Sequence, residues 1–284
     1  MVVWGLNQVM RHRFCVASLC VVLSFSLFSC QKEGVFHPKK KLIQRNCYAM
    51  DYPEAITSYD YIWDDGLLVG IKGAGTTFEL SYDDQHRLSQ VVCNEEFAVY
   101  HYQEKLLNTI DYYVGDSLYY TIQVRHEGNK ISGYGYHLDV YVKSLEESKL
   151  RPLILGKEAS QVFADMEKSK YVHGDGSYYY GADFVWDGDD ISQVIYTESI
   201  TPSYRFIGQI STQKYTYTYE KLKNPFHGLL TIEGLGVAHL SAHCVCSVDD
   251  GNAYVTNFTY ESKSKFPVRR TSSDGAVEEY VYEE

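Results

Sequence analysis

His239, His243, Cys244 and Cys246 form the one cluster in the 284-residue sequence whose side chains have the character of metal ligands. A zinc site would need His239 and His243 on a single helical turn with the thiolates close by. The run from Val237 to Cys246 reads at least as well as a buried strand, so packing or disulfide pairing is the expectation for it. In a regular strand Cys244 and Cys246 would share a face, and each would sooner pair elsewhere than with the other. With Cys47 and Cys93 they make an even set of four after Cys30, compatible with disulfides without requiring them. Asp187-Gly188-Asp189-Asp190, Asp249-Asp250-Gly251 and His173-Gly174-Asp175-Gly176 have the composition of calcium loops but lack the distant bidentate Glu, and hairpin turns are expected there. No GxSxG, HExxH or glycine-rich phosphate loop occurs, and no spacing pairs a His or Asp with a nucleophile. Neither catalytic residues nor a cofactor site is therefore assigned. The 27 tyrosines could line a surface for a glycan or peptide ligand, but cross-strand packing is the favoured reading.

Cys30 has a chemistry of its own. The stretch from Phe14 to Phe28 is almost wholly apolar and follows Arg11-His12-Arg13, the layout of a secretory signal peptide. Its 15 residues fall short of the roughly 20 that a spanning helix needs. Leu27-Phe28-Ser29-Cys30 resembles the lipobox of bacterial lipoproteins, and the resemblance implies that Cys30 is diacylated through its thiol and becomes the new N-terminus. An ordinary signal peptide or an uncleaved anchor helix are the alternatives, and translation could start at Met10. The absence of Asp after Cys30 points by the same analogy to the outer membrane, on its periplasmic or surface-exposed side. Gln31-Lys32-Glu33 also resembles the surface-export signal of some Bacteroidetes lipoproteins. Residues 30–54, with Lys39, Lys40 and Lys41, read as a lipidated N-terminus and tether behind a signal peptide of residues 1–29.

Removal of residues 1–29, which hold Arg11 and Arg13 and no acid, leaves 24 basic against 37 acidic residues, a formal charge of −13. A surface so acidic argues against nucleic acid as a partner, because such binding rests on phosphate neutralisation by Lys and Arg.

These residues must be held by elements whose rhythm is legible from about residue 55 onward. An aromatic residue or His leads into a polar turn, then an aliphatic residue, then a second apolar one three positions later: Trp63 to Leu68 and Ile71, Tyr82 to Leu88 and Val91, Tyr102 to Leu107 and Ile110. His126 leads to Ile131 and Tyr134, and Trp186 to Ile191 and Val194; Tyr260 leads to Phe266, with Arg269 in the second apolar place. Spacings near 20 residues match two strands and two turns, so each phrase is one β-hairpin. Tyr215-Thr216-Tyr217-Thr218-Tyr219 alternates with period two, placing tyrosines on one face and threonines on the other. One hairpin cannot bury its own apolar face, so the expectation is an all-β fold, a curled antiparallel meander over residues 55–284 that can close into a barrel. The stretch from Leu138 to Val172 breaks the rhythm, and residues 157–170 within it are predicted to form one short inserted helix.

The hairpin phrase, the segment Tyr215 to Phe226 and the closing run from Phe258 to Tyr282 together resemble a Bacteroidetes lipoprotein family with a domain of unknown function described as porin-like, and also tyrosine-aspartate (YD) repeats. The resemblance implies the architecture and carries no catalytic residues. A membrane pore is not implied, since the strands show no lipid-facing apolar band. Asp116-Ser117-Leu118 resembles the O-glycosylation sequon of Bacteroidetes. The sequence thus points to a lipid-anchored, palmitate-bearing envelope protein, a non-enzymatic binding or structural module, with a surface hydrolase acting on glycans or peptides as the alternative.

Overall fold

Aromatic and β-branched residues at every second position commit this chain to strands, and Gly, Asp or Asn between them supply the left-handed backbone of tight turns. Asp65 and Gly66, with φ of 44° and 80°, and Ala74 and Gly75, with φ of 51° and 74°, form two such turns. The computed structural model describes residues 33–139, 176–202, 209–230, 235–252 and 254–284. The signal segment, Cys30 and the helix predicted over 157–170 lie outside the described residues.

Sixteen strands follow one another: β1 (Leu42–Ala49), β2 (Tyr52–Asp64), β3 (Leu67–Gly73), β4 (Thr76–Tyr82), β5 (Leu88–Cys93), β6 (Glu96–Gln103), β7 (Leu106–Val114), β8 (Ser117–Glu127), β9 (Lys130–Asp139), β10 (Gly176–Asp187), β11 (Asp190–Pro202), β12 (Gln209–Lys223), β13 (His243–Asp249), β14 (Val255–Lys263), β15 (Phe266–Ser272) and β16 (Ala276–Tyr282). A four-residue helix, α1 (Val237–Leu240), lies between β12 and β13. Each strand pairs antiparallel with its sequence neighbours, and β16 returns to β1, so the meander closes into a barrel. Residues 42–54, read from sequence as part of a tether, contribute β1 and the start of β2, the strands that complete this closure.

The pairing explains why two aliphatic residues three apart recur. Period two would send positions i and i+3 to opposite faces, yet Leu68 and Ile71, Leu88 and Val91, Leu107 and Ile110, and Ile191 and Val194 are all buried in one core. One extra residue in the second strand of each hairpin, a β-bulge, restores the phase. Ile62 pairs with Gly70 and Trp63 with Leu68, leaving Val69 as the extra residue. The same shift leaves out Ser89, Asn108, Ser132, Ser192, Cys246, Val268 and, at the β16–β1 closure, Ile43. Seven sequential strand pairs and the β16–β1 closure are therefore bulged at the same end, and each bulge adds bend and twist that help the sheet close.

A second regularity sits beside the bulges. In seven of the eight even-numbered strands an aromatic residue near the end donates a hydrogen bond to a backbone carbonyl of the strand before it. Trp63 donates to Leu42, Tyr82 to Leu68, Tyr102 to Leu88, Trp186 to Ile131, Tyr219 to Ile191, Tyr260 to Val245 and Tyr282 to Pro267, at 2.5–2.9 Å. Every acceptor is the residue immediately before a bulge, where the ladder is locally disrupted and its carbonyl needs a partner. The polar tip satisfies that group while the ring packs inward.

The buried cluster draws side chains from nearly every strand, and tyrosine rings line up across β7 to β12: Tyr112, Tyr120, Tyr136, Tyr180, Tyr196 and Tyr215 follow one another at centroid separations of 4.8–6.0 Å. The connection between β12 and β13 folds into the same core: Phe226 lies 6.5 Å from Tyr61 of β2 and 6.1 Å from Tyr280 of β16.

Candidate functional site

Alternation along the strands separates two surfaces. In β4, Phe78 and Leu80 are buried, while Thr77, Glu79 and Ser81 point outward. The outward face carries polar pairs between strands: Gln44 donates to Asp60, His101 meets Asp111 at 2.9 Å, Thr121 donates to Asp111 at 2.5 Å, and Arg125 binds Asp183 at 2.6 Å. The buried face is mainly apolar, and the described outward face mixes these polar pairs with exposed apolar residues such as Ile56, Ile62 and Val185.

The residues singled out as metal ligands are dispersed by the fold. His239 lies in α1, fully buried, and burial holds its imidazole down at about 3, hence neutral. His243 Nδ1 is 2.8 Å from Asp190 Oδ2, and its backbone N–H donates to the same carboxylate. Cys244 faces inward, and burial pushes its thiol up to about 12. Cys246 is the bulge residue, so its Sγ contacts Thr218 on the outward face, 3.0 Å away. The bulge thus corrects the expectation that the two cysteines share a face. Cys47, Cys93, Cys244 and Cys246 are all free thiols, and among the described residues no group of three or more His, Cys, Asp or Glu is arranged to hold a metal. Asp187 to Asp190 and Asp249 to Gly251 are turns, with Gly188 at φ 58° and the Gly251 N–H bonded to Asp249. His173, Gly174 and Asp175 lie outside the described residues, and Ser117 is exposed at the start of β8.

Among the described residues, a small pocket of mixed polar and apolar lining opens where β13 to β16 meet β1. Its volume is about 40 Å³, room for one or two waters and far below an organic ligand. Arg270 reaches Glu278 at 2.7 Å, and Tyr280 donates to the other carboxylate oxygen at 2.5 Å. Burial alone would raise the Glu278 pKa, but the Arg270 and Arg45 cations and these hydrogen bonds overcome it and hold the carboxyl at about 2. The same burial, with the carboxylate beside it, raises the Tyr280 hydroxyl well above its ordinary value. This cluster fastens the strands that close the barrel; it has the character of a clasp. Glu198 on β11 is the one carboxyl among the described residues that shifts upward, burial bringing it to about 7.

The residues that sequence reading passed over are Glu33 and His126. His126 occupies an anchor position, but an imidazole is too short to repeat the bond to the preceding strand. Glu33 fills the gap: its carboxylate accepts from the Leu107 N–H at 2.7 Å and meets His126 Nε2 at 3.1 Å. From there the chain forms a strap along this end of the barrel. The Gly34 carbonyl accepts from the Leu88 N–H, and a side chain at Gly34 would collide with the Tyr102 hydroxyl. Phe36 stacks on Trp63 at 5.8 Å, and Lys41 pairs with Glu283. The signal was present in the sequence as the one His among aromatic anchors.

The sequence matches no family model and no curated protein. Among solved structures, the chain is similar to the crystal structure of a porin-like protein from Bacteroides uniformis, with a TM-score of 0.50 and 11% identity, covering 89% of this chain and 100% of that one. At that identity the likeness shows the barrel fold alone.

Proposed function

We propose that this chain is an exported lipoprotein of the outer membrane, anchored through Cys30, whose barrel stands in water as a non-enzymatic binding or envelope-structural module. The observation that carries the reading is the polarity of the wall: the buried cluster is aromatic and aliphatic, and charged pairs between strands stand on the outward face. A buried cluster of that kind disfavours a wide solute channel, and outward charges disfavour a continuous lipid-facing belt. Attachment then falls to the N-terminus, where the lipobox-like Leu27 to Cys30 supplies it. The similarity in fold to a porin-like Bacteroides protein supports an envelope setting, as does the family resemblance in the hairpin phrases.

Metabolic labelling with a palmitate analogue, in wild type and Cys30→Ala, combined with protease shaving of intact cells, tests this. Label in the wild type alone, with the Cys30→Ala protein recovered without detergent and inactive in liposome conductance, is the expected result. Label persisting in Cys30→Ala removes the anchor assignment, and conductance by the purified barrel removes the reading of a barrel without a wide solute channel.

A further inference from the structure

We infer that the barrel stands end-on against a lipid surface, held by a latch between Glu33 and His126 and presenting its Glu33-bearing end to the bilayer. The inference rests on acylation of Cys30 and goes beyond it, because an acylated chain could equally dangle its domain on a loose tether.

Seven of the eight even-numbered strands end in a Trp or Tyr that reaches the preceding strand directly, and β8 alone carries a His and recruits Glu33 in its place. Both partners are largely shielded, with side-chain exposures of 14% for His126 and 15% for Glu33, so this is a seated contact. Charge-assisted hydrogen bonds of this kind are stronger than neutral ones. The strap that follows is fastened again at Gly34, Phe36 and Lys41. Only Gln31 and Lys32 separate Cys30 from Glu33, so at most about 10 Å of extended chain lies between the acylated residue and the latch.

Charge agrees with this placement. Among the described residues, the connections at the strap end, with the strap itself, include Lys39, Lys40, Lys41, Arg87, Lys105 and Lys265 beside their acids. The described connections at the opposite end carry Asp51, Glu95, Asp116, Asp250 and Asp274 and no Lys or Arg. Both ends are acidic on balance among the described residues, but cations offset most of the acids at the strap end and none at the other, so an anionic lipid surface repels the strap end less.

The exported part holds two tryptophans, Trp63 and Trp186, both anchors at the strap end. The acylated full-length protein, reconstituted in phosphatidylglycerol-containing vesicles with a headgroup spin-labelled lipid, should show strong quenching of their fluorescence. A variant with Trp63→Tyr, Trp186→Tyr and Asp116→Trp moves the reporter to the opposite end, and quenching there should be several-fold weaker. His126→Tyr restores the direct bond to the preceding strand while removing the socket for Glu33. It should remain folded yet bring quenching at the two ends closer together, as should Glu33→Gln to a smaller degree. Equal quenching at both ends in acylated protein with the native latch overturns the end-on arrangement and leaves the anchor standing. Failure of the wild type to take up the palmitate analogue overturns the anchor, and the arrangement with it.

Discussion

The hydroxyl of Tyr102 donates to the carbonyl of Leu88, fourteen residues earlier and on the preceding strand, at 2.9 Å. That bond joins one bulged hairpin to the next, and its counterparts run around almost the whole ring. Closure of the barrel thus rests on a repeated local device, with Glu33 supplying the one missing link.

Tyr102→Phe keeps the ring under the Arg87 guanidinium, which lies 4.3 Å from its centroid, and removes only the donor. The loss should be about 1 kcal/mol, the net worth of a neutral hydrogen bond. A lower urea midpoint at unchanged m-value checks it; no change would mean that water replaces the hydroxyl without penalty.

The Glu278 carboxyl, held at about 2, sits below the ordinary Glu pKa of roughly 4.3. Its contribution to stability is therefore complete above the unfolded value and lost as pH falls toward the folded one. Wild type should lose stability between about pH 4.5 and 2, and Glu278→Gln should flatten that part of the curve. Glu278→Ala, which leaves Arg270 without its carboxylate partner, should cost about 3 kcal/mol or more at neutral pH. Thermal unfolding as a function of pH measures both.

Glu79 and Leu80 are neighbours on opposite faces of β4, the first exposed and the second buried. Leu80→Ala should cost about 2–4 kcal/mol through the cavity it opens, and Glu79→Ala less than about 0.5 kcal/mol. Equal effects in chemical denaturation would contradict the assignment of core to the interior.

Much of this was legible in sequence. The spacing of Trp63, Tyr82, Tyr102 and His126 set the hairpins, and the alternation of Tyr215 to Tyr219 set the two faces, because strand periodicity is a property of the local backbone. The bulges were present in the spacing of Leu68 to Ile71 and Leu88 to Val91, although only the pairing shows that one residue in each is left out. The fate of His239, His243, Cys244 and Cys246 was not legible, since the α1 helix and the Cys246 bulge turn neighbouring ligand types in different directions.

By itself the sequence determined strands, turns, the inward face and the chemistry available at Cys30, all of which depend on residues within a few positions of one another. Closure of β16 on β1 and the seating of Glu33 between Leu107 and His126 were decided by the tertiary structure alone. Those contacts join residues up to 240 positions apart, as in the pairing of Leu42 with Tyr282, and their partners come within reach only once every intervening strand has found its neighbour.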